Sequence, residues 1–150
     1  ESGNYADKFG VTVMVEDFPV PALPMSTSDE MKALLDAAPG LQLILDTGNM
    51  LAQKEDPLHF YQALKGHYAH VHLKDIEYPE NATTGDIDCD GRHIWNAQHG
   101  EGVVNFAALL PDLKQDGFDG YVTVEYGPHE GTKDHFEKMA ESIRYLEGLL

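Results

Sequence analysis

Basic residues are scarce. Ten lysines and arginines stand against 26 aspartates and glutamates, for a net charge of −16 with the histidines neutral. That balance disfavours a nucleic-acid partner, because backbone binding depends on Lys and Arg neutralising phosphates. Cysteine is nearly absent: Cys89 stands alone, which excludes an internal disulfide and makes a reducing, cytoplasmic compartment the expectation. Long apolar runs are missing too. None approaches the length of a membrane span, so no membrane partner is expected, and the stretch ESGNYADKFG lacks the basic and apolar regions of a signal peptide. No low-complexity tract occurs. The 150 residues suffice for one domain with a real core.

What is present alternates between two element types. Strand patterns fall at 11–16 (VTVMVE), 41–46 (LQLILD), 69–74 (AHVHLK) and 121–125 (YVTVE), with helical patterns between and after them. Thr27 and Glu30 form a T-x-x-E capping box before MKALLDAA. Asp56-Pro57 supplies an N-cap and a proline at the first helical position before LHFYQALKG. Asn105 is positioned to cap FAALLPDLKQDG, where Pro111 is expected to kink or restart the helix. A last helix from about residue 132 puts Phe136, Met139, Ala140, Ile143, Leu146 and Leu150 on one 3.6-residue stripe. Strand, helix, strand, helix reads as parallel α/β. The stretch 75–104 is too long for an ordinary loop and is expected to be a functional one.

Strand parity carries the most information. One alternating set is apolar: Val11, Val13 and Val15; Leu41, Leu43 and Leu45; Val71 and Leu73; Val122 and Val124. That face is expected to lie under helices. The other set runs Thr12, Met14, Glu16; Gln42, Ile44, Asp46; His70, His72, Lys74; Tyr121, Thr123, Glu125. Period-2 geometry therefore sends Glu16, Asp46, His72 and Glu125 to one side, at the carboxyl ends where parallel α/β folds place their sites. Three carboxylates and an imidazole suit one divalent metal. Oxygen-rich ligation favours Mn²⁺ or Mg²⁺, and the imidazole admits Co²⁺ or Zn²⁺. Without a cation the carboxylates would repel.

The segments VTVMVED, LILDTGN, HVHLKD, HGEGVVNF and GYVTVEY, in that order, resemble the later strands and loops of the xylose isomerase-like TIM barrels. That superfamily includes sugar isomerases, epimerases and inosose-processing enzymes. The resemblance implies a (β/α) TIM-barrel type of which 1–150 is the C-terminal half, with only the last four βα units present. It implies one metal held by Glu16, Asp46, His72 and Glu125. His70 then lies one layer deeper, as a hydrogen-bonded core histidine. Asn49 stands where the family often has histidine and is expected to donate to a sugar hydroxyl.

The implied chemistry is isomerisation or epimerisation of a sugar or sugar phosphate through an enediolate, with Glu16 and Glu125 as the catalytic acid/base pair. Lys74, on the strand, is expected to polarise a substrate hydroxyl or meet a phosphate, or else to be rim charge. Arg92 and His99, in the 75–104 stretch, are candidates to close over substrate. Trp95 is a candidate wall for a sugar ring. The alternatives are a metal-dependent dehydratase of an inositol-type substrate and a non-catalytic barrel fragment. The expected partner is a small carbohydrate, together with a second copy of the chain or a missing N-terminal half-barrel.

Overall fold

The computed structural model describes residues 6–127 and 134–150. Among these residues seven strands follow in chain order: β1 (Met14–Glu16), β2 (Gln42–Asp46), β3 (Tyr68–Leu73), β4 (Ile76–Glu77), β5 (Asp86–Ile87), β6 (His93–Asn96) and β7 (Tyr121–Val124). The helices are α1 (Ser28–Ala37), α2 (Pro57–Ala63), α3 (Phe106–Gln115) and α4 (His135–Glu147). The main sheet is parallel, in the order β1-β2-β3-β7, and each of its strands is followed by one of the helices. This is the α/β pattern of a TIM-barrel fragment. Among the described residues no helix is long and apolar enough to cross a membrane.

Local signals set the helix starts. Thr27 and Glu30 form the full reciprocal capping box of α1, and Asp56 accepts from His59 N ahead of Pro57 in α2. Asn105 likewise accepts from Ala108 N at the start of α3. Of the two outcomes expected at Pro111, a restart does not occur: α3 runs through it. Pro111 is exposed, so it forfeits one backbone bond on the outer face. The opposite face is held by buried Phe106, Leu109, Leu110 and Leu113.

The core lies between the sheet and its helices. Leu43, Leu45, Val71 and Leu73 are buried there with Met31, Phe60, Phe106 and Leu109. Side chains of this size each stabilise by about 1.5–3 kcal/mol when fully buried, so the seam of β2 and β3 against the helices anchors the fold. The edge strands are less covered. β1 is shorter than the 11–16 pattern because β2 starts opposite Met14, leaving 11–13 beyond its partner's end. On α4 the expected apolar stripe is largely uncovered: Leu146 is buried, whereas Phe136 is 93 % exposed. The helix follows β7, whose outer side carries no strand among the described residues, so most of that stripe has nothing to pack on.

The 75–104 stretch is structured rather than an open loop. β4 and β5 both pair antiparallel with β6 to make a small three-stranded sheet. Asp75 closes it. Its buried carboxylate accepts from Ile76 N, Gly100 N, Gly102 N and Val104 N, all at 2.9–3.0 Å. Gly102 is required for this approach, since a Cβ there would lie 2.2 Å from Asp75 Oδ1. The pattern predicts that Asp75→Ala, which leaves several enclosed N–H groups without acceptors, lowers unfolding stability by about 3 kcal/mol or more. Urea denaturation followed by circular dichroism measures this, and a loss under about 1 kcal/mol would contradict the role.

Candidate metal centre

Register explains how four side chains from four strands reach one place. Asp46 lies opposite His72 across the β2–β3 pair, and His72 lies opposite Thr123. Glu16 lies opposite Ile44, two residues short of Asp46, and Glu125 follows two residues after Thr123. The short aspartate and the imidazole thus stand at the same level in the middle. The longer glutamates reach in from the two edges, one from below and one from above. One ligand atom from each of the four lies within 4.8 Å of all the others. Glu16 Oε1 and Glu125 Oε2 are 3.3 and 3.5 Å from His72 Nδ1.

Backbone geometry fixes Asp46. It ends β2 with no exposed surface, and its Oδ1 accepts from Gly48 N and Asn49 N at 2.8 and 2.9 Å. These bonds tie the carboxylate to the backbone leading into the 3₁₀ turn Asn49–Gln53 and hold it in one orientation. Its Oδ2 is buried without a hydrogen-bond partner. Lys74 Nζ lies 3.0 Å from it as an ion-pair partner. A fixed carboxylate with a lone pair left open, beside two further carboxylates and an imidazole, fits a divalent cation.

Electrostatics divide the carboxylates. Burial raises Asp46 to about 6, with Lys74 opposing the rise and Glu125 adding to it. Neighbouring Asp17 is pushed well up by burial and then by the charges of Asp46 and Glu16. Burial also pushes Glu125 upward, but the hydrogen bond and charge of Lys74 outweigh it, and the net shift is downward. Lys74 is itself raised: Asp46 and Glu125 more than offset its desolvation.

The other expected site residues divide into two groups. Lys74 and Asn49 stand at the cluster. Lys74 Nζ pairs with Glu125 Oε1 at 2.6 Å and donates to Asn49 Oδ1 at 3.1 Å. Asn49 Nδ2 donates to Asp17 O at 2.9 Å and reaches Glu16 Oε1 at 3.4 Å, so the side chain spans the two strand ends. Both residues line a cleft of about 330 Å³ whose far wall is Ile94, Trp95 and Asn96 from the 75–104 stretch. Trp95 is held there by its Nε1 donating to Thr84 O.

Arg92 and His99 are placed elsewhere. Arg92 binds Asp88 through its Nε at 2.8 Å and lies over the Tyr78 ring, outside the residues that line the cleft. His99 is 3 % exposed, with Nε2 at 2.7 Å from Leu73 O and Nδ1 at 3.0 Å from Ser142 Oγ. Both ring nitrogens are taken up in joining β3 to α4, so the expectation that it closes over substrate gives way to a structural role. His70 sits below the cluster, hydrogen-bonded to Thr123 Oγ1 at 2.7 Å. Thr47 went unnoticed in the sequence: its hydroxyl bonds both Lys74 O and Lys74 N, holding β3's end against β2. A threonine directly after the strand-ending aspartate is the only signal that marked it.

A parallel sheet with this donor set at its carboxyl ends has the architecture of a TIM-barrel fragment with a candidate metal site. The profile of the family described as "Xylose isomerase-like TIM barrel" matches residues 1–149. The chain belongs to that family. Among curated proteins it is similar to an inosose dehydratase of Lacticaseibacillus casei, 22% identical over 114 residues, covering 73% of this chain and 38% of the relative. Among solved structures it resembles 3-keto-D-glucoside 4-epimerase from E. coli, with TM-score 0.71 and 18% identity, covering 98% of this chain and 49% of that one. A xylose isomerase-like TIM barrel protein from Mycobacterium smegmatis, solved in complex with magnesium, matches with TM-score 0.71 and 17% identity, covering 98% and 46%. The chain thus spans about half the length of these relatives or less.

His99 provides a check on the division made above. His99→Ala is expected to reduce stability by about 1–3 kcal/mol, because the Leu73 carbonyl and the Ser142 hydroxyl lose their partner. Divalent-metal affinity, read by titration calorimetry, should stay unchanged. A large loss of metal affinity with stability intact would return His99 to the site.

Proposed function

We propose that this chain carries the metal-binding half of a divalent-metal-dependent isomerase or epimerase acting on a sugar or sugar phosphate. The observation that supports the reading most is the symmetric approach of Glu16 and Glu125 to His72 from opposite edges of the sheet, beside the fixed carboxylate of Asp46. A divalent ion held by Glu16, Asp46, His72 and Glu125 would supply Lewis-acid stabilisation of charge on a carbonyl and an adjacent hydroxyl. Its identity lies among Mn²⁺, Mg²⁺, Co²⁺ and Zn²⁺.

The chain's own groups then account for proton traffic. One glutamate removes the proton from the carbon beside the carbonyl, giving an enediolate. The other returns a proton to the opposite face, which inverts the centre. Asn49 and Lys74 stand at the cleft wall, where substrate hydroxyls would meet them. A second reading has its own support: similarity to inosose dehydratases favours loss of water from an inositol-type substrate. Both reactions begin with the same proton removal. They part at whether the neighbouring hydroxyl leaves.

A panel of ketoses and inososes, incubated in D₂O with Mn²⁺, separates these by product analysis and reports proton exchange by NMR. Glu16→Gln and Glu125→Gln should each cut exchange by roughly two to four orders of magnitude. Asp46→Asn should act through metal affinity and be partly rescued by excess metal. If the three variants respond alike, the separate roles fail.

We further propose that four more βα units complete the barrel around this site, in a longer chain or in a second copy. β1 and β7 each have one sheet neighbour, and Tyr121 beside the open edge is 81 % exposed. Open parallel edges with apolar flanks recruit another chain. The isolated chain should therefore sediment as a dimer or larger species at micromolar concentration. A compact, stable monomer would rule that out.

A further inference from the structure

The lysine among the ligands invites a role of its own. Lys74 continues the inward-facing parity of His70 and His72 one step beyond β3. Its stem lies across Gly48, where a Cβ would come within 2.9 Å of Lys74 Cγ and Cδ. That contact explains a glycine at 48, whose backbone needs no left-handed conformation. Side-chain exposure of Lys74 is only 14 %. Its ammonium is therefore delivered along a shaped groove rather than left to roam at the rim. It meets Asp46 Oδ2 at 3.0 Å, Glu125 Oε1 at 2.6 Å and Asn49 Oδ1 at 3.1 Å.

Two of those three partners are the carboxylates that would hold the metal. A dication among the four ligands must share Asp46 and Glu125 with a fixed positive charge, and the two cations repel at short range. Lys74 is the close partner of Asp46 Oδ2, which makes no other hydrogen bond among the described residues, so a cation arriving there competes with the ammonium directly. Lys74 also lines the cleft beside Asn49, so the open space next to its side chain is that cleft.

We infer that Lys74 is a built-in counter-cation: it competes with the divalent ion for Asp46 and Glu125, lowering metal affinity, and metal binding moves its ammonium into the cleft toward substrate oxygens. Metal loading and substrate capture are thereby coupled through one side chain. The inference rests on the metal-site reading above and deepens it.

Two measurements on the 150-residue chain test it. Mn²⁺ titration by calorimetry compares the wild type with Lys74→Met, which keeps the length of the side chain and removes its charge. One neighbouring charge moves a carboxylate's proton affinity by roughly one to three log units, so Lys74→Met should bind Mn²⁺ at least about tenfold more tightly. The second measurement needs no variant. Acetic anhydride labelling of wild-type protein, read by peptide mass, should show Lys74 protected in chelator and several-fold more reactive with saturating Mn²⁺. Unchanged or weaker metal affinity in Lys74→Met overturns the competition while leaving the metal site standing. Labelling of Lys74 that is indifferent to Mn²⁺ overturns the displacement. A wild type and variant that both fail to bind Mn²⁺ overturn the metal-site reading and this inference with it.

Discussion

Three carboxylates drawn within a few ångströms of one another are a liability before they are a site, and the architecture of the chain is organised around tolerating them. Asp46 is the most deeply buried of the three, at the end of a central strand. Its tolerance comes from several sources at once. Two backbone N–H groups fix one oxygen, the imidazole of His72 stands across the pair, and Lys74 brings a positive charge to the other oxygen. Remove the surrounding apolar seam and these groups would separate into water. The leucines and valines behind β2 and β3 therefore do more than stabilise the domain: they set the positions at which the charges must meet.

The division of labour between short and long acids follows from the stagger of the sheet. Parallel strands in a barrel-like sheet are offset along their length, so residues that aim at one point cannot all occupy the same level. The central strands supply the short reach of aspartate and the ring of histidine. The flanking strands supply glutamate, whose additional methylene spans the offset. The choice between Asp and Glu at each position is thus a statement about register, and the chemistry inherits it. The inner glutamates differ in surroundings as well: Glu125 has Lys74 at 2.6 Å, while Glu16 faces Asn49 at 3.4 Å.

How much of this was legible in the sequence depended on the range of the interaction. Period-2 alternation in LQLILD and AHVHLK identified the buried and inward faces of β2 and β3, because each strand is flanked on both sides and its pattern is undiluted. The caps at Thr27, Asp56 and Asn105 were legible for the same reason: cause and effect lie within three residues. What escaped was non-local. The small sheet inside 75–104 is built from strands of two to four residues, too short to leave a period. The exposure of Phe136 depends on what lies beside β7, not on the helix's own stripe. His99 looked available because histidine in a long connection usually is; its partners, the Leu73 carbonyl and Ser142, sit 26 and 43 residues away. The Arg92 side chain was drawn aside by Asp88, which precedes it by four residues in a segment read as loop.

Asp75 has a consequence for how the cleft is shaped. It gathers both ends of the 75–104 stretch onto one carboxylate at the tip of β3, so the entropy of closing that excursion is met at its base. The distance between the ends is then indifferent to what happens in the middle. Residues from Glu77 to Ala97 form a cassette hung from that base, with further ties from Tyr78 Oη to Leu51 O, Cys89 N to Ala52 O and Asp90 to Lys54, all in or just after the 3₁₀ turn that follows β2. One wall of the cleft, including Trp95, is drawn from that cassette. The shape of the cleft is thus set from the middle of the excursion, and the placement of the four charged side chains from the strands beneath it.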